Sequence, residues 1–139
     1  MSSLAPAAAP SQPAILLIGR ILMGALFLNA GVRKAFTYGL TVGYFTKLGF
    51  PMPEVMAIIA PIIEVGGGLL LMVGWKSRYA AWLLALFVVI ASFAAHRFWE
   101  FDAAQFGNQM NHFMKNFAII GGLLFLATWG PGSLSVDKS

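Results

Sequence analysis

The strongest constraint in this 139-residue chain is a succession of apolar runs, each long enough for a bilayer, separated by short stretches of glycine, proline and charge. About 20 apolar residues in a helix cross a hydrocarbon core of ~30 Å, and inside lipid only helices and closed barrels satisfy every backbone amide. Four segments qualify: Ile15 to Ala35; Val55 to Val73, introduced by Pro51 and Pro53 and closed by Gly74; Arg78 to Ala95; and His112 to Trp129, stopped by Gly130-Pro131-Gly132. The expected architecture is all-α, an integral membrane four-helix bundle whose even number of spans puts both termini on the same side. Composition agrees, because 59% of the residues are hydrophobic and 10% charged. An ordinary soluble domain carries about 25% charge, and one this short needs that charge to cover its surface.

The chain contains no cysteine, which excludes a disulfide scaffold and Cys-ligated zinc or iron–sulfur sites. Its net charge of +4 lacks the basic run of a nucleic-acid binder, so the natural partner is a lipid bilayer. The Ala/Pro/Ser stretch from Met1 to Pro13 has no basic n-region, and Arg33-Lys34 stand where a signal cleavage site belongs, so the first segment reads as a retained span. The expected organisation is a flexible tail over 1–14, one transmembrane domain over 15–130 and a polar tail over 131–139. Between the first two spans, Tyr38, Val42, Phe45 and Leu48 recur at spacings of three or four with Lys47 off the stripe, which predicts a short interfacial helix. The connection from Phe98 to Asn111 is the most polar internal stretch and reads as an exposed loop. Trp75, Trp82, Trp99 and Trp129 fall near the predicted span ends, where amphipathic rings prefer to sit. Arg33, Lys34, Lys47, Arg97 and Lys115 lie on one side, against Lys76, Arg78 and Lys138 on the side of the termini, which leans toward termini outside under the positive-inside rule.

Polar residues inside apolar spans are the candidates for function. Glu64 sits near the middle of the second span, where a carboxylate costs several kcal/mol unless paired, neutralised or wet. Ala57, Ala60, Pro61, Gly67 and Gly68 share its helical face, so that face points to neighbouring helices. Arg20 in the first span is the expected counter-ion, giving an intramembrane Arg20/Glu64 pair that is either a structural tie or a proton relay and ligand anchor. On the Arg20 face lie Phe27, Gly31 and Lys34; the third span brings Ser92 and His96 to the same side, and the fourth opens with His112, Lys115 and Asn116. Lys34, His96, Lys115 and Asn116, with Phe27, Phe36, Phe93 and Phe113 around them, outline a funnel suited to a quinone head group or another small amphiphile. The competing reading makes Lys34, Arg97 and Lys115 interfacial anchors that snorkel to phosphates. Asn29, opposite Arg20, has a neighbouring subunit or its own backbone as candidate partners. No metal site is expected: His96 and His112 are too far apart for a helical ligand pair, and no Glu-x-x-His spacing is present. Ser92, buried in a span, assembles no hydrolase triad, and Gly66 to Gly68 follow no strand and serve packing rather than phosphate binding.

These residues resemble the DoxX family of small membrane proteins. The resemblance covers nearly all of Ile15 to Trp129 and rests on Leu17-Ile18-Gly19-Arg20, Asn29-Ala30-Gly31-Val32-Arg33-Lys34, Tyr44-Phe45 and Leu48-Gly49-Phe50-Pro51. It continues through Glu64-Val65-Gly66-Gly67-Gly68-Leu69-Leu70-Leu71, Gly74, Arg78, His96, Lys115-Asn116-Phe117-Ala118 and Gly121-Gly122-Leu123-Leu124. The resemblance implies a four-helix protein of the bacterial inner membrane linked to redox systems. Relatives of that kind include the small subunit type associated with thiosulfate:quinone oxidoreductase and a membrane partner of oxidoreductases handling thiols and superoxide. It also implies family positions at Arg20, Lys34, Glu64, His96, Lys115 and Asn116. The absence of cysteine argues against a direct thiol–disulfide role here.

Three functions remain open from sequence. A quinone-linked subunit draws its electrons from a partner, since no redox motif is visible in the chain. An accessory or assembly subunit of a larger respiratory-type membrane complex, or a homo-oligomer, uses the bundle only for docking. A carrier comes last, because duplicated broken helices are lacking.

Overall fold

The computed structural model describes residues 12–137, and the Met1–Ser11 part of the expected flexible tail lies outside them, as do Lys138 and Ser139. The described chain forms α1 (Pro13–Phe36), α2 (Tyr38–Lys47), α3 (Pro53–Val73), α4 (Ser77–Ala95), a 3-10 turn (Phe98–Glu100) and α5 (Ala103–Trp129). Pro13 and Pro53 start their helices where a missing amide costs nothing. Gly74 ends α3 in the left-handed conformation, φ 72°, with its amide on the Leu70 carbonyl.

Three of these helices, α1, α3 and the α4 stretch continuing to Glu100, are long and apolar enough to cross a membrane. The fourth long helix differs from its expected form. The stretch from Phe98 to Asn111 is not a loop throughout: α5 begins at Ala103 and runs 27 residues. Asp102 caps it by accepting from the Gln105 amide at 3.1 Å, and Asp-x-x-Gln is a helix-start signature that polarity alone had hidden. The first half of α5 is polar and the second half, from Phe117, is apolar.

α3 is central. Glycines on two of its faces admit α1 and α4 closely. A Cβ on Gly68 would lie 2.7 Å from the Gly24 carbonyl oxygen of α1, and one on Gly67 2.8 Å from Leu84 of α4. Gly31 of α1 lies against the Pro61 carbonyl and the Glu64 Cβ in the same way, so α1 and α3 run antiparallel with Gly24 level with Gly68. One buried cluster joins Phe27, Leu71, Leu84, Val88, Leu123 and Ala127, drawn from all four long helices. Large apolar side chains face outward on the same helices, among them Leu22, Ile62, Leu86 and Phe125, an exposure that water would penalise and lipid does not.

The segment after α5 is more than a polar tail. Gly130 turns the chain back, and the Val136 and Asp137 amides donate to the Val73 and Gly74 carbonyls at 3.2 and 2.9 Å. The Asp137 carboxylate then accepts from the Lys76 and Ser77 amides at 2.8 and 2.9 Å and from the Ser77 hydroxyl at 2.7 Å. This strap therefore caps the first turn of α4 from a distant part of the chain. Burial opposes ionisation of Asp137, but the hydrogen bonds from Ser77 and Lys76 and the nearby Arg20 charge outweigh it and hold the carboxyl below its ordinary range.

Candidate functional site

Glu64 is buried, and its partner is Lys34 rather than Arg20. Lys34 Nζ stands 2.8 Å from Oε1 and donates to Oε2 at 3.1 Å. Arg20, also buried, gives Nη1 to the Leu71 and Met72 carbonyls at 3.0 Å each and Nη2 to the Leu134 carbonyl. The expected Arg20/Glu64 pair is thus replaced by two separate arrangements. The reason is directional: Cα–Cβ bonds tilt toward each helix's N-terminus. On antiparallel α1 and α3, Lys34 leans back along α1 to the level of Gly31 while Glu64 leans back along α3 to the level of Pro61, and the two meet. Arg20 leans back along α1 in the same direction, which carries it away from Glu64 to the end of α3, where carbonyls lacking intrahelical partners accept its fork.

Lys34 is partly accessible, its side chain 29% exposed against 4% for Glu64. It faces a cavity of about 330 Å³ between α2, α3 and α4. Met56, Ile59, Ile63, Phe87, Ile90 and Ala94 make the apolar walls, Tyr44, Phe45, Leu48 and Phe50 close it from the α2 side, and His96 joins Lys34 as a polar wall residue. Thr41 fixes the α1–α2 corner above it, donating to the Thr37 carbonyl at 3.0 Å and the Lys34 carbonyl at 3.4 Å. Burial pushes the Tyr44 hydroxyl above its ordinary value, so it remains a neutral O–H at any physiological pH.

His96 is the C-cap residue of α4. Its Nδ1 lies 2.8 Å from Gln109 Oε1, and its ring stacks on His112 at 4.8 Å between centroids. With the amide oxygen toward the ring, Nδ1 donates to it.

The expected funnel is narrower than the sequence suggested. Lys34 and His96 line the cavity, whereas Lys115, Asn116, Phe27 and Phe93 are absent from its walls. Phe27 is core, 3% exposed, because Gly68 leaves it room against α3. Phe93 turns to the other side of α4, meeting Phe113 and Phe117 edge-on at 5.5 and 6.2 Å, and Phe36 is 86% exposed. Ser92 bonds back to the Val88 carbonyl at 2.7 Å, a local role. Among the described residues no group of three His, Cys, Asp or Glu could hold a metal ion. Of the wall residues that sequence reasoning left out of the site, Phe45 and Leu48 belong to the apolar stripe running through α2, while Tyr44 lies off that stripe and Phe50 follows the helix. That stripe was visible, but its apolar side covers protein as well as facing the interface.

Residues 15–97 match the family model described as DoxX. The chain is 35% identical over 128 residues to the inner membrane protein YphA of Escherichia coli (strain K12), spanning 92% of this chain and 91% of that one. It is 36% identical over 124 residues to the inner membrane protein YqjF of the same organism, spanning 88% of each. A more distant similarity, 29% over 124 residues, links it to the ER-derived vesicles protein ERV29 of Saccharomyces cerevisiae and covers 33% of that longer protein. No solved structure matches the chain.

Proposed function

This chain belongs to the DoxX family and is a small integral membrane protein; from that premise we propose that it is a four-span protein of the inner membrane that binds a quinone head group in the cavity beside Lys34 and His96. The observation that carries the reading is the cavity itself: apolar walls from three helices with one cation and one imidazole among them. Its volume, about 330 Å³, lies at the lower end of small-molecule sites, enough for one ring and the start of a tail.

The Lys34 ammonium has three donors, and with Glu64 taking two close contacts it can still donate to a ligand oxygen. Glu64 neutralises that charge, so the site does not require an anionic ligand. His96, hydrogen-bonded through Nδ1, has Nε2 left for a ligand hydroxyl, which suits the reduced form of the same head group. A bound quinone supplies two-electron carrier chemistry; the chain's own residues hold it, order its oxygens and keep the tail in an apolar channel. The fourth span in this reading is the apolar half of α5 with the turn preceding it, and both termini then share one side of the membrane.

A second reading, an accessory subunit of a larger membrane complex, draws on the aromatic face beside α5. There Phe93, Trp99, Phe106 and Phe117 are exposed although they contact one another and Phe98 or Phe113.

The test is quantification of quinone extracted from the protein purified gently from its native membrane. Ala94→Phe fills the cavity without touching the ion pair, and Ile62→Phe is an outward-facing control. Close to one quinone per chain in the wild type and in Ile62→Phe, with strong loss in Ala94→Phe, is expected. Equal quinone in all three, or a stoichiometric membrane complex without quinone, overturns the ligand reading, and the complex would establish the second.

A further inference from the structure

Once the cavity, the ion pair and the strap are accounted for, Asn29 is left without a role. Its depth follows from the register of α1 on α3. Gly24 is level with Gly68, and Gly31 lies against Pro61 and Glu64, so Asn29 is level with the middle of α3. That helix has 21 residues and a length of about 30 Å, so Asn29 is near the centre of the bilayer. Its side chain is exposed and makes no hydrogen bond among the described residues. A carboxamide there carries two N–H donors and an acceptor that hydrocarbon cannot satisfy.

The surface around Asn29 has the period of a helix seam. Ile18, Leu22, Ala25, Asn29, Val32 and Phe36 are all exposed and follow one another at alternating steps of four and three, the a/d spacing of two helices wound side by side. The opposite face of α1 is already used, because Gly24, Phe27 and Gly31 are buried against the rest of the molecule. We propose that this chain forms a parallel two-fold homodimer through the exposed face of α1, with Asn29 of each copy hydrogen-bonded to the same residue of the other.

A second copy is the occupant because the chemistry is self-complementary. In a parallel two-fold seam each a position meets its own equivalent, and a single polar residue at such a position fixes register and pair number. A carboxamide is both donor and acceptor, so two identical side chains satisfy one another with no charge left in lipid. Ala25, one turn away, allows close backbone approach. Another protein on this face would have to supply a matching polar group at the same depth, whereas a second copy brings it by symmetry.

The chain has no cysteine, so single cysteines can be placed without background. Oxidative cross-linking of the full-length protein in native membranes is expected to give homodimers from Ala25→Cys and Val32→Cys and none from Ile62→Cys on the outer face of α3. In lipid vesicles, energy transfer between labelled copies followed on dilution is expected to show association weakened roughly three- to tenfold by Asn29→Leu and largely kept by Asn29→Gln. Asn29→Leu removes a polar group from lipid, so its quinone content and thermal stability are expected to stay at the wild-type level. Three results would each overturn the proposal: cross-links equal at all three positions, association unchanged by Asn29→Leu, or cross-linking of Ala25→Cys to a different protein.

Discussion

At one end of the α1–α3 pair, buried Arg20 directs its guanidinium onto the carbonyls of Leu71, Met72 and Leu134; at the other, Lys34 meets a buried carboxylate at 2.8 Å beside an open cavity. Both ends answer the same problem, a cation and unsatisfied polar groups in an apolar surrounding. Arg20 uses a rigid fork to close a helix end and tie the C-terminal strap over it, which leaves little for a ligand. Lys34 is a single flexible donor that remains partly accessible. The difference makes the strap end a closed tie and leaves the cavity end the accessible one, where the proposed ligand would sit.

The largest effect is expected from leaving one buried charge alone. Lys34→Met should lower stability by about 3–5 kcal/mol, seen as reduced thermal resistance in nanodiscs, and adding Glu64→Leu should restore most of it. Arg20→Met removes charge-assisted hydrogen bonds at the other end and should cost about 1.5–3 kcal/mol. Its signature is exposure of the strap to proteolysis with cavity ligand retained, and loss of ligand together with the strap would merge the two ends into one site. Gly68→Ala, whose Cβ would meet the Gly24 carbonyl oxygen at 2.7 Å, forces α1 from α3 and should cost about 1–3 kcal/mol by overpacking, measurable by the same melting assay.

The smallest effect concerns the strap cap. Asp137→Asn should cost about 0.5–2 kcal/mol, the range for helix N-caps. Asp137 is more acidic in the folded protein than in an unfolded chain, so its contribution is complete above the ordinary Asp range and is lost only as pH falls through the lower folded value. The Ser77 amide resonance, followed against pH, should therefore shift with a midpoint below the model-peptide value of about 3.9. A midpoint at or above that value would separate Asp137 from the cap.

The helices were largely legible in the sequence because lipid enforces long apolar runs and glycine or proline marks their ends. Ile15 to Ala35 became Pro13–Phe36, Val55 to Val73 became Pro53–Val73, and the interfacial stretch became α2. The start of α5 was missed because hydropathy was weighed above the Asp102–Gln105 cap. The site was legible in part: Glu64, Lys34 and His96 were picked out by the cost of polar groups in lipid. The pairing was not, because it depends on antiparallel register and on the lean of side chains along each helix, neither of which spacing alone contains. For the same reason Phe27 and Phe93, placed on the funnel by helical periodicity, fall in the core and on an aromatic cluster.

The most direct measurement is a pair of double-mutant cycles on thermal stability in nanodiscs, one joining Lys34→Met with Glu64→Leu and the other joining Arg20→Met with Glu64→Leu. Expected is a coupling of roughly 2–5 kcal/mol in the first, where one charge is otherwise left buried and alone, and no more than about 0.5 kcal/mol in the second, as for residues apart. A large coupling between Arg20 and Glu64 with none between Lys34 and Glu64 would contradict that expectation.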